Sequence, residues 1–283
     1  MRILANESWK NRLEKEFSKT RYLRLIKRYL YMSFRARIEY RVSFYFELFF
    51  QLVMLAISLL FWRVIFLKTS QFADWTFGAI LILHMHSQVF AAIFLTFFMG
   101  SHVFWRSIQR GQLDIFLCRP LDPRFAFLAE QARFQGTYRL VLNVVIISIL
   151  LWWLNVSVNL THFGLTMIMV ALSAFAIGLM QLSANCISFW WIRSDALDEF
   201  LDFVFEFYRY PLTVLPFFLQ AFLTVGMPII FAATFPSLFL VGEINLANYL
   251  ILIVELLIVI IGWYIFLEIA WKAGLRHYES AGG

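Results

Sequence analysis

The sequence predicts an all-α integral membrane protein. It should have about six transmembrane helices, an N-terminal amphipathic interfacial helix, and extracytoplasmic re-entrant half-helices between the fifth and sixth spans. Three observations carry this. Of the 283 residues, 61% are hydrophobic and 15% charged, with a mean hydropathy of +0.74; a soluble domain is about half apolar and a quarter charged. The apolar residues come in continuous runs near the roughly 20 residues that cross a hydrocarbon layer as a helix. Backbone groups in lipid must find their partners within the protein, so helices or a closed barrel are the options, and continuous rather than alternating runs select helices. Lastly, charge is segregated: 12 of the 24 Lys and Arg precede Ser43, against four acids.

Two parts follow from this, a cytoplasmic and interfacial segment at 1–42 and a single transmembrane domain at 43–283. Residues 8–41 read as one helix lying on the membrane. Trp9, Leu13 and Phe17 share a face, followed by Leu23, Ile26, Leu30 and Phe34, with Arg21, Arg24, Lys27 and Arg28 opposite. Aromatic and aliphatic residues facing a basic side suit an anionic lipid surface; a solvated helix packing on another subunit is the alternative. A polar stretch of about 40 residues ahead of the first apolar run speaks against a signal peptide. The spans are expected near Phe44–Leu67, Phe77–Met99, Leu140–Val156 and Leu165–Trp191, then from Pro211, and near Tyr249–Trp271. Between Pro211 and Asn248 the chain holds Pro211, Pro216, Pro228 and Pro236 with Gly226 and Gly242. That suits a helix ending near Met227, then two short half-helices surrounded by protein or water.

Lys and Arg orient the spans. One set of hydrophilic segments carries the N-terminal cluster, Arg106, Arg110, Arg119, Arg124, Arg133, Arg139, Arg193, Arg209, Lys272 and Arg276; the other carries Lys68, with Arg63 beside it. Both termini are therefore expected in the cytoplasm, and the expected location is a bacterial inner membrane. Cys118 and Cys186 are expected to stay reduced.

The sequence has no Gly-x-x-x-x-Gly-Lys-Ser/Thr phosphate loop, no Gly-x-Ser-x-Gly and no His-Glu-x-x-His. His84 and His86 are two apart, so a helix points them in different directions and one ion is poorly held by both; pathway lining or a helix contact is expected, and no metal site. Glu255 lies deep in the last span, where a charged group costs roughly 2.5–3.5 kcal/mol to insert. It either pairs with another helix or lines a pathway. Asp195, Asp198, Glu199, Asp202 and Glu206 recur at helical spacing after the fourth span, as a solvated face or as partners for the basic N-terminal helix.

The cytoplasmic loop at 100–139 contains Arg110-Gly111-Gln112-Leu113-Asp114-Ile115-Phe116-Leu117-Cys118-Arg119-Pro120. It resembles the first cytoplasmic loop of ABC type-2 permeases, closest to a branch reading roughly Gly-x-Leu-Asp-x-x-Leu-x-Arg-Pro. The proline-rich segment and the tail Trp271 to Gly282 resemble that branch too. The resemblance covers essentially the whole chain. It implies the transmembrane subunit of an ATP-driven transporter, usually an exporter. Two such subunits, identical or related, would pair with two separate ATPase chains that carry the ATP and Mg; no cofactor is expected in this chain, and no nucleic-acid partner. Arg110, Gly111, Leu113, Asp114, Phe116, Leu117, Arg119 and Pro120 would form the coupling helix, and Asp195, Asp198, Glu199 and Asp202 a second cytoplasmic contact. The half-helices after Met227 would close the outer end. Abundant phenylalanine (33 residues) and few intramembrane charges point to an amphipathic or lipid-like cargo. An integral membrane enzyme acting on lipid-linked substrates and a passive channel or scaffold are the rival readings.

Overall fold

A computed structural model describes residues 19–39, 41–72, 74–154, 156, 159–191 and 195–278. Trp9, Leu13, Phe17, Arg193 and the last five residues lie outside them. The elements are α1 (Lys19–Glu39), α2 (Arg41–Phe66), α3 (Phe77–Phe97), α4 (Met99–Gln109), α5 (Leu113–Leu117), α6 (Pro123–Glu130), α7 (Phe134–Trp153), α8 (Leu160–Asn185), α9 (Asp195–Phe205), α10 (Phe217–Ala221), α11 (Thr234–Val241) and α12 (Leu246–Leu275). Side-chain caps set several starts. Thr76 accepts from the Ala79 N–H, Asn159 from Thr161 and Asn245 from Asn248.

Among the described residues, five stretches are long and apolar enough to cross a membrane: Val42–Phe66, Phe77–Gln109, Phe134–Trp153, Leu160–Phe189 and Leu246–Leu275. Phe217–Gly226 is a shorter apolar helix. Cross-contacts give the directions. α7 runs antiparallel to α3, with Gly136 against Thr96 and Asn143 against Gln88. α8 runs parallel to α3–α4, with Gly178 against Phe98 and Asn185 against Ser101. α2 runs parallel to α7: Phe44 meets Tyr138, Gln51 meets Asn143, and Leu55 packs by Ile147. At one end of the bundle α1, α5, α6 and the end of α12 therefore gather. Trp62, Trp75 and Thr213 mark the other, where the Trp75 indole donates to Thr213 at 2.8 Å.

The expected fifth span starting near Pro211 needs correction. The chain already travels along α3 before that proline, antiparallel to it: Asp202 meets His102, Phe205 meets Phe94 and Phe90, Tyr208 meets Phe90, and Thr213 meets Trp75. Hydropathy hides this pass because Asp195, Asp198, Glu199, Asp202, Glu206 and Arg209 read as aqueous; an intramembrane charge is tolerated where protein groups pair with it. From Pro216 the chain turns back as α10 and a π-helical turn (Phe222–Gly226). Its bend at Gly226–Pro228 lies level with the middle of α8, where Ser173 donates to the Pro228 carbonyl. It then climbs through Ile230–Ala232 and α11 to Phe239, which stacks on Tyr249 with ring centres 3.9 Å apart.

The main core lies between α3, α8, the Val204–Leu212 pass, the Leu223–Phe231 bend and α12. A second core holds α4, α5 and α6 against α8 and α12. α3 is the most enclosed of the five long stretches and α2 the least.

Candidate coupling surface and membrane cavity

The candidate coupling segment, residues 110–120, starts where α4 ends. The Arg110 N–H still bonds back to Arg106, and Gly111 then takes φ +68°. Only glycine holds that left-handed turn without cost. Gly111→Ala is expected to cost about 1 kcal/mol from backbone strain, seen as a lower thermal midpoint by tryptophan fluorescence, with Gly164→Ala as the unstrained control.

The turn delivers α5 with Leu113 and Phe116 facing inward. Both are buried, packing with Phe104, Ile108, Phe127 and Trp271. The expectation that these two face a partner changes: their apolar surface anchors α5 to its own chain. Arg110, Gln112, Ile115, Leu117, Cys118 and Pro120 remain exposed. Gln112 and Ile115 were not singled out by sequence reasoning. Helical periodicity carries the signal, since Leu113 and Phe116 lie three apart on one face and Ile115 lies off it. Cys118 and Cys186 are free thiols.

Charges fix this segment. Arg119 donates to Glu130 at 2.8 Å, with its guanidinium 4.7 Å from the Phe116 ring centre. The Glu130 bond holds the Arg119 guanidinium above its ordinary pKa against a slight opposing burial. Glu130 also accepts from Tyr29 of α1 at 3.4 Å. Asp122 caps α6, accepting from the Arg124 and Phe125 N–H groups at 2.9 and 3.3 Å, with Pro123 at the first helical position. Arg124 joins Asp122 and Glu268 of α12, both at 2.7 Å, and lies over Trp271. Burial works against the Asp122 carboxylate, but Arg124 and the two N–H groups outweigh it and lower its pKa. Burial similarly opposes the charge on Arg124, and its two carboxylate partners raise its pKa all the same. The tail reaches this site too. Tyr278 packs on Phe189 beside Asp114; burial first, then that carboxylate, pushes its phenol up to about 12.

Of the second expected contact, Glu199 is exposed, and the side chains of Asp195 and Asp198 lie outside the described residues. Asp202 turns to His102 at 2.6 Å. His102 is itself 3.3 Å from the Gln181 side chain; Ser101 donates to Gln181 at 2.6 Å, and Asn185 donates to the Ser101 carbonyl at 2.8 Å. This chain of polar groups ties α9, α4 and α8 together just above the coupling segment. Buried polar networks of this kind hold elements in one arrangement when their members are satisfied.

The candidate pathway residues separate. His84 lines a cavity of about 500 Å³ between α2, α3, α7 and Arg209. His86 faces away from it, with Nδ1 3.0 Å from both the Ile82 carbonyl and the Ser237 hydroxyl, as a contact between α3 and α11. Glu255 is half-buried on α12 and is not in the cavity wall. The wall carries Glu47, Gln51, Gln88, Arg139, Asn143 and Arg209 on its polar side. Tyr138 donates to Glu47 at 3.1 Å, Asn143 donates to the Gln88 carbonyl at 3.1 Å, and Arg209 is paired with Glu206 at 3.0 Å. Sequence reasoning missed Arg139, Asn143 and Arg209 as a group because Arg139 and Arg209 fall at presumed loop positions and Arg209 lies far from α7 in the chain.

A family model described as ABC-2 family transporter protein matches residues 52–282. No curated protein and no solved structure matches the chain. The matched stretch runs from α2 through the coupling segment and cavity to the tail, well over half of the sequence, and the chain accordingly belongs to the ABC-2 transporter family as a multi-pass membrane permease.

Proposed function

We propose that this permease is driven by separate ATPase subunits that seat on α5, and that it exports an amphipathic substrate. The observation that carries the reading is the division of α5 into two faces. Leu113 and Phe116 fasten it to the core, and Arg119 and Arg124 tie its flanks to Glu130 and Glu268, while Gln112, Ile115 and Leu117 are presented outward. A rigidly held helix with an exposed apolar edge transmits a push; a loosely hung loop absorbs it.

In this reading the end bearing α1, α5 and the end of α12 is cytoplasmic, in agreement with the Lys and Arg distribution. ATP and Mg belong to the ATPase, and this chain works beside a second permease, either a copy of itself or a related one. ATP-driven closure of the ATPases moves α5 and tilts α4 and α9 together through the Asp202–His102 contact. The short helices on either side of the Gly226–Pro228 bend, which itself reaches in to the middle of α8, close the outer end. Transport energy comes from the difference in ATP affinity between the two arrangements.

Co-purification tests this. The wild-type chain should bring down a soluble ATPase, and Ile115→Asp should weaken that complex by roughly tenfold or more, as expected for a charge placed in an apolar contact. A cysteine at Gln112 should label only after permeabilisation, and one at Asn159 from outside. Absence of any ATPase, or the reverse labelling, overturns the reading.

A further inference from the structure

We propose that the cavity between α2, α3 and α7 is the substrate site, and that it takes an amphiphile with an anionic head, carboxylate or phosphate, whose head lies at Arg139 and whose chain lies along α2. This rests on the permease reading and adds the sign of the head group and the residues that read it.

The cavity has two unlike walls. Glu47, Gln51, His84, Gln88, Arg139, Asn143 and Arg209 make one side polar, while Phe46, Phe50, Met54 and Leu55 of α2 make the other apolar. Polar and ionisable groups are rare inside a membrane and mark pathways when they face a cavity. Their partners decide the sign. Arg209 is held by Glu206, through Nη1 at 3.0 Å and Nη2 at 3.2 Å, and by the Tyr208 hydroxyl at 3.2 Å. Glu47 accepts from Tyr138. Arg139 forms no ion pair among the described residues; it acts on the same Tyr138 hydroxyl that donates to Glu47, and its Nε is buried without a hydrogen-bond partner. Gln51 Oε1 is likewise buried and unpartnered. A guanidinium with an unfilled buried donor is matched by a carboxylate or phosphate oxygen, which accepts charge-assisted bonds without a proton of its own. Gln51 Oε1 is an acceptor that a hydroxyl or amide beside the anionic group would fill.

Depth gives the orientation. Arg139 lies in the second turn of α7 and Glu47 in the second turn of α2, at the coupling-segment end; Met54 and Leu55 lie near the middle of α2. The charged end is therefore at the membrane face where α1 and α5 gather, and the apolar wall leads toward the midplane. That is the arrangement of a lipid in the leaflet on the coupling side. Phe46, Phe50 and Met54 of α2 keep more than half of their surface.

Binding to the full-length permease in phosphatidylcholine nanodiscs tests this without any ATPase, so its failure is separate from failure of the coupling reading. The probe is fluorescent dansyl-undecanoate, compared with its methyl ester and a dansyl alkyl-trimethylammonium. The acid should bind tighter than both. Arg139→Gln should weaken the acid roughly tenfold or more, as for a lost bond to a charged group, and leave the ester unchanged. Arg139→Lys should keep most of the binding, which separates lost charge from a damaged fold. Phosphatidylglycerol added to the nanodisc displaces the probe if the occupant is a bilayer lipid and leaves it bound if the cargo is a free amphiphile. Equal binding of acid and ester, preference for the cation, displacement by acetate or inorganic phosphate alone, or an unaltered Arg139→Gln would each overturn the proposal.

Discussion

Arg124→Gln is expected to detach α6, and with it the candidate coupling helix α5, from α12. In the wild type one guanidinium holds Asp122 and Glu268, both at 2.7 Å, and covers Trp271. Without it, two carboxylates stand close together at the edge of an apolar cluster. Removing one member of a buried ion pair costs roughly 3–5 kcal/mol. Asp122 and Glu268 keep 36% and 24% of their side-chain surface, so water offsets part of the loss, and the expected cost is about 3 kcal/mol. Thermal unfolding reads the stability change. A functional readout separates a clamp from plain stabilisation: an ATPase bound to Arg124→Gln should hydrolyse ATP without transport. Glu268→Gln, which leaves the Arg124–Asp122 pair in place, should show a smaller version of both effects. The clamp should also be insensitive to pH near neutrality. Asp122 titrates below its ordinary value and Arg124 above its own. The carboxylate's contribution is complete above the unfolded pKa and lost only as pH falls through the lowered folded one, while the arginine's is lost only in strong alkali. Transport that fades between about pH 6 and 8 would have to come from another group.

How far the sequence discloses this molecule depends on the range of the interaction concerned. Long apolar runs state their own helicity, because lipid leaves the backbone no other partner, and α2, α3, α7, α8 and α12 were legible for that reason. The pass from Asp202 to Thr213 was not. Its acids read as solvated until His102, a hundred residues away in sequence, is placed 2.6 Å from Asp202. Inside the coupling segment the residue types were legible and their directions were not. Leu113 and Phe116 look like a docking face in a linear reading. They become an anchor once Phe104, Phe127 and Trp271 converge on them. The cavity was the least legible feature, since its polar wall is drawn from α2, α3, α7 and Arg209 and none of these segments carries a motif. The inference that intramembrane charges are few was drawn from the apolar runs alone, and Arg139 and Arg209 enter the bundle from segments those runs excluded.

Gly136→Val is expected to be the most damaging single change in the bundle. Gly136 lies where α7 packs tightly against the α3 backbone. A Cβ built there meets the Thr96 hydroxyl, the Ala92 carbonyl at 2.5 Å and the Thr96 nitrogen at 2.6 Å. Two of these are backbone atoms of α3, the most enclosed long helix, and backbone cannot rotate aside as a side chain does. Close crossings of this kind depend on small residues, because helices in lipid associate through packing rather than through exclusion of water. Overpacking typically costs 1–3 kcal/mol when side chains can yield; against fixed backbone the expected loss for valine is at least about 3 kcal/mol. The same shift would move Arg139 and Asn143, one and two turns further along α7, away from Gln88 and the cavity. Stability and substrate binding should therefore fall together. Gly164→Val, on a helix where nothing lies within 4 Å of the new Cβ, should leave both nearly unchanged. If Gly136→Val unfolds at the wild-type temperature, α3 and α7 do not meet at this crossing, and the cavity they frame loses its inner wall.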